Sequence, residues 1–144
     1  MTALTRLPPW VAALWWGSLA TVGFMVVPLL FTYLPTPAIA GAMAAKLFSA
    51  QSWLSVVCGL LLLMFTRSKL PLPHVQRMHD ATIFIVLGML LALLSEFAVA
   101  PRIVARENLR LWHAVGTSML LLQWVCAVVT FSKLTPRDNP VNQV

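Results

Sequence analysis

Apolar positions fall into four runs of about twenty residues: Trp10–Phe31, Leu47–Phe65, Ala81–Ala100 and Leu111–Phe131. Polar and charged residues gather mainly between them. A bilayer's hydrocarbon core is about 30 Å thick, and about 20 helical residues cross it. Peptide groups find no water there, so a spanning segment closes its own hydrogen bonds as a helix. The pattern predicts an all-α, integral membrane four-helix bundle. Little chain is left outside the runs, so residues 1–144 read as a single transmembrane domain.

Prolines punctuate the runs. Pro8 and Pro9 precede the first, where a missing N–H costs little. Pro28 lies near its far end and is expected to kink or end the helix. Pro35-Thr36-Pro37 then breaks the chain. The Ala-rich stretch Ala38–Ser49 is expected either to lie at the interface or to extend the second helix outward. Asp80 is the expected N-cap of the third helix. Pro101 is its expected end, Arg102–Arg110 the connection to the fourth helix, and Pro136 a stop beyond it. Arg6, the first run and Ala38-Ile39-Ala40 together imitate a secretory signal. The run has 22 residues, whereas a signal's apolar core has about 7–15. The first helix is therefore expected to be retained.

Composition sharpens the membrane reading. The chain is 60% hydrophobic and 10% charged, against about 25% charged in an ordinary soluble domain. Its net charge of +6 comes from ten basic residues spread over every flank and loop. No dense basic run marks a nucleic-acid partner; flanking Lys and Arg are the usual boundaries of membrane helices. The lipid bilayer is the expected environment. Arg6, Arg67, Lys69, Arg77, Lys133 and Arg137 fall on one side, and Lys46, Arg102, Arg106 and Arg110 on the other. That bias predicts both termini in the cytoplasm, in what reads as a bacterial inner membrane. Trp10, Trp15, Trp16 and Trp112 lie near run ends, as interfacial anchors do.

Two ionisable residues interrupt the runs. Glu96 lies in the third, beside a face of Gly88, Ala92, Ser95 and Val99 that would admit a close neighbour. A carboxylate at membrane depth normally faces protein or water, so Glu96 is expected to point into the bundle. His113 opens the fourth run. With Gly116, Leu120, Gln123 and Ala127 it recurs at three- and four-residue spacing, which defines one stripe. Glu96 lies ~7 Å before the following connection at 1.5 Å per residue, and His113 lies about one turn after it. Gln51 and Ser52 approach from the second run. Glu96, His113, Arg102 and Gln51 are thus expected to converge as a buried polar site at the non-cytoplasmic end. Two readings of it stay open. Glu96 could pair with Arg102, Arg106 or Lys46 and staple helix ends, or the cluster could handle protons, ions or a metal.

Other chemistry is thinly represented. Cys58 and Cys126 sit inside runs, where cysteine usually packs as a small apolar residue. Met25, Met64, Met89 and Met119 form no closely spaced array for copper. His74 and His79, near Arg77 and Asp80, read as a solvated helix start. His113 is the weak metal candidate and the one in-span histidine for haem. No phosphate loop or nucleophile elbow occurs. The serines lack the Asp–His company that activates a nucleophile, so the pattern points away from an enzyme. Gly17/Thr21 and Ser55/Gly59 are small-residue pairs suited to helix contacts within the bundle, and also to a homodimer or a membrane-complex partner.

Several short elements together resemble a known family. They are Trp15-x-Gly17, Val26-Val27-Pro28-x-x-Phe31, Leu47-Phe48, Glu96 with Pro101-Arg102, and Leu111-Trp112-His113. The resemblance is to the transmembrane protein 205-like family, a domain of unknown function, and covers about Trp10 to Phe131. It implies a four-helix transmembrane bundle without a settled activity. It also implies distant similarity to copper-resistance D-like proteins and to a haem-binding membrane protoporphyrinogen oxidase, hence haem or copper as cofactors. Pro28, Glu96, Arg102 and His113 are the positions that carry over. The sequence as a whole predicts a non-enzymatic accessory or structural bundle, or a small transport component. A haem- or metal-associated redox protein using His113 is the alternative.

Overall fold

A computed structural model describes residues 3–66, 72–106 and 108–135, with side chains at 7–65, 79–106 and 108–135. Within them the chain is helical apart from short connections, and four helices are long and apolar enough to cross a membrane. Helix α1 (3–33) runs through Ala3–Ala20, a widened π turn at Thr21–Val26, and Val27–Tyr33. Helix α2 is Pro37–Thr66. Helix α3 (72–104) runs through Leu72–Leu94, a second π turn at Ser95–Val99, and Ala100–Val104. Helix α4 is Leu109–Leu134.

Every helix is longer than its apolar run, and the prolines explain much of the difference. Pro8 and Pro9 lie inside α1 rather than before it. So close to the end, they remove only ladder bonds of the first turns. Pro28 does not end α1, nor does Pro101 end α3. A proline ring clashes with the carbonyl four residues back and offers no N–H. In both helices the preceding turn widens to make room. The N–H of Val27 reaches back five residues to Val22 O, and that of Ala100 reaches Ser95 O. The helix then resumes for about two turns in α1 and one in α3.

Other boundaries also move. The stretch Ala38–Ser49 is a continuous outward extension of α2. Asp80 lies within α3, two turns past its start, and is not its cap. Arg102 belongs to the last turn of α3, so the connection to α4 shrinks to 105–108. Arg106 and Asn108 take positive φ there, 57° and 35°. Asn tolerates that region better than Arg. The side chains of His74 and Arg77, and Pro136 itself, lie outside the described residues.

Sequence neighbours pack antiparallel and α4 closes back on α1. The level of each helix is fixed by contacts: Trp15 lies against Gly88, Gly88 is also close to Cys126, and Gly23 is level with Leu120. Around Trp15 the axis is solid. Trp15, Leu19, Cys58, Leu62, Ala81, Ile85 and Ala127 are almost wholly buried together. Gly88 lets the Trp15 ring cross the bundle, since a Cβ there would stand 2.6 Å from it. Gly59 likewise admits Met89. Trp15 is therefore a core residue and not an interfacial anchor. Trp16 stacks on Phe131 with ring centroids 5.6 Å apart. Trp10 stays exposed. The Ser55/Gly59 pair packs inside the bundle as expected. Gly17/Thr21 does not, because Gly17 has nothing near it and Thr21 is exposed.

Candidate functional site: a polar chamber in one half of the bundle

Beyond the Trp15 level, towards the 34–36 and 105–108 connections, the inward faces separate. They enclose a cavity of about 350 Å³. Each helix brings a different part of its sequence to the wall. Helix α1 contributes Gly23, Val27 and Phe31, spaced by four. Helix α2 contributes the small residues Gly41, Ala44 and Ala45, then Phe48, Ser49, Gln51 and Ser52. Helix α3 contributes its π turn through Ser95, Glu96 and Val99, and α4 contributes His113, Thr117, Leu120 and Gln123. Both π turns border the cavity. Wide turns of this kind recur at functional sites because they re-aim side chains and free backbone groups.

Glu96 is half-buried and accepts the Ser49 hydroxyl at 2.6 Å. That length is typical of an O–H on a carboxylate. Among the described residues no ion pair holds Glu96. Arg102 does not join it. The guanidinium donates to Ala98 O at 2.6 Å and lies 4.7 Å from the centre of the Trp112 ring. The expected staple between Glu96 and Arg102 is therefore replaced by a hydroxyl bond from α2, and Arg102 lies outside the chamber wall.

Gln51 is buried, and its amide donates to Ser18 Oγ at 3.0 Å and, more weakly, to Ser55 Oγ at 3.4 Å. Ser18 and Ser55 in turn donate to the carbonyls of Trp15 and Gln51. This small network closes the chamber floor on the α1–α2 side. Across from it, Gln123 is 3% exposed and its Nε2 has no partner. An unmade bond at such depth costs about 1–3 kcal/mol. His113 lines the wall while remaining exposed on its other side.

Of the residues expected to converge, Glu96, His113, Gln51 and Ser52 line the chamber, and Gln123 of the inward α4 stripe joins them. The sequence misplaced Arg102 and missed Ser49. Ser49 lies just inside the second run and shares a stripe with Ser52, the three-residue spacing that could have found it.

Among the described residues no three of His, Cys, Asp or Glu come together. Cys58 and Cys126 are free thiols in the solid half. The chamber offers one imidazole and one carboxylate, short of the four ligands of a usual zinc site, and a single axial ligand for haem. These side chains do not fit a protein-built metal centre.

Fold and site together define a multi-pass membrane bundle with a largely apolar chamber that carries a few polar side chains. The chain belongs to the family described as Domain of unknown function (DUF4149), whose match covers residues 10–111. That match takes in α1 to α3 and stops as α4 begins, ahead of His113 and Gln123. No curated protein and no solved structure matches the chain.

Proposed function

We propose that the protein is a small, non-enzymatic transport component of the membrane whose working part is the chamber. The supporting observation is the hollow itself, with Glu96 and the unpartnered Gln123 amide on its wall. Buried polar atoms without a partner also occur outside the chamber, at Trp15 Nε1 and Thr130 Oγ1, so the hollow and Glu96 carry the reading. A void forfeits dispersion contacts of its lining, and intramembrane ionisable groups mark ion and substrate paths. Such local losses persist where function uses them.

The test is flux. Purified protein in liposomes with an entrapped pH dye, and in parallel a solute-swelling assay, is expected to exceed protein-free vesicles in at least one channel. Glu96→Gln is expected to reduce that flux. Wild-type vesicles matching empty ones in both assays would remove the proposal, and a partner surviving mild detergent extraction would favour the accessory role instead. We further place both termini in the cytoplasm of a bacterial inner membrane, and the chamber on the far side, from the flanking charge bias. Reporter fusions at Val144 and in the 105–108 connection test that placement.

The resemblance to transmembrane protein 205-like and copper-resistance D-like proteins supports a bundle of this shape. Its haem or metal implication rests on His113 alone. A Soret band or stoichiometric metal in the purified protein would replace the transport reading with the redox one.

A further inference from the structure

We propose that the chamber selects an amphipathic organic cation: an amine whose charged head sits at Glu96 and whose apolar body lies against Phe31 and Phe48. This deepens the transport reading by naming the solute class, and rests on it in taking the chamber as the working site.

The argument starts from the register of the two π turns. In α1 the N–H of Val27 is bonded to Val22 O, and Pro28 has no N–H to give. The carbonyl of Gly23 therefore receives a bond from neither the residue four ahead nor the one five ahead. In α3 the N–H of Ala100 is bonded to Ser95 O, and Pro101 follows. The carbonyl of Glu96 is left in the same position. Gly23 and Glu96 both line the chamber. Two released carbonyls and one carboxylate thus belong to residues of the chamber wall, and Ser49 is the one hydroxyl bonded to the carboxylate. In a bilayer, backbone acceptors must find a partner inside the protein or its cavity. Broken helices in transporters use released carbonyls to hold cations.

The protein's own cations do not serve. Arg102 is committed to Ala98 O and Trp112, and Lys46 is exposed. His113 is the one basic side chain on the wall, and it is exposed on its other side. A bare inorganic ion would leave most of the 350 Å³ unused. Phenyl and aliphatic walls beside a carboxylate suit a molecule with both characters, and small-molecule sites begin at about 300 Å³. Gln123 Nε2 is a donor without an acceptor, and an ammonium head offers it none, so the head is held by Glu96 and the released carbonyls alone.

The test uses three probes with one body and three charges: 3-phenylpropylamine, 3-phenylpropanol and 3-phenylpropionate. Each is titrated calorimetrically into the full chain in a mild detergent, with uptake by empty micelles subtracted. The amine is expected to bind at least about tenfold tighter than the alcohol, a contrast of the size a charge-assisted bond provides. Glu96→Gln is expected to erase that preference while leaving alcohol binding within about threefold, since the apolar contacts that bind the shared body remain. Ser49→Ala, which keeps the carboxylate, is expected to retain the preference, so a fold defect in the Gln variant does not blunt the test. Equal binding of all three probes, tighter binding of the carboxylate, or an amine preference that survives Glu96→Gln would overturn the inference. Because binding is read without flux, amine selectivity in a protein that moves nothing would sink the transport reading and leave this one standing.

Discussion

The two halves of the bundle use small residues in opposite ways. In the solid half, Gly88 faces the Trp15 ring and Gly59 faces Met89. Each glycine is a socket for a large side chain from another helix. In the chamber half, Gly23 still receives Leu120, 2.9 Å from its Cβ position, but Gly41 on the same wall has nothing within 4 Å of its own. A small residue brings helices together only when something opposite uses the space. Otherwise it leaves a hole. The same composition therefore gives a rigid base and a hollow top.

The sharpest way to break the contrast is to empty the solid half. Trp15→Ala is expected to cost about 3 kcal/mol, at the low end for buried aromatics because lipid offers the unfolded helix an apolar alternative. A lowered unfolding midpoint in mixed micelles checks it, and an unchanged midpoint would mean the base is not the stable half. Gly88→Val approaches the same contact from the other side. Its added carbons meet a ring already 2.6 Å from the Cβ position, with an expected loss of about 1–3 kcal/mol. In the hollow half the signs reverse. Gln123→Leu removes the orphaned amide and is expected to raise stability by about 1 kcal/mol, while leaving the preference for the amine over the alcohol in the calorimetric assay unchanged. Gly41→Ala places a methyl in open space within a helix and is expected to be the smallest effect, a gain of up to about 0.5–1 kcal/mol. A loss at Gly41 would show that the chamber is closed tighter than its walls suggest.

The membrane location, the number of helices and the end where polar groups converge were all legible in the chain. Hydrocarbon thickness sets run length, and antiparallel succession sets which ends meet. The inward stripe of α4 was legible too. Gln123 and Ala127 are buried where the three- and four-residue spacing placed them. Pro101 was read as the end of α3, and Pro28 as a kink or an end of α1. In each helix a widened turn precedes the proline and the helix continues past it. Trp15 was also misread. Distance from a run's end says interface, while the glycine opposite it, on a helix seventy residues away, says core.

What the sequence determined by itself is solvent: apolar length and the scarcity of charge commit four helices to lipid, whatever their arrangement. It also determined which residues could not face that lipid without cost, chiefly Glu96 and Gln51. The tertiary structure decided who meets them. Ser49, not Arg102, reaches Glu96 because α2 extends beyond its apolar run and α3 winds through a wide turn before Pro101. Among the described residues it also decided that the core around Trp15 is filled and the end near the 34–36 connection is hollow. That outcome depends on the volume of side chains facing each other across the axis, a quantity no single helix carries.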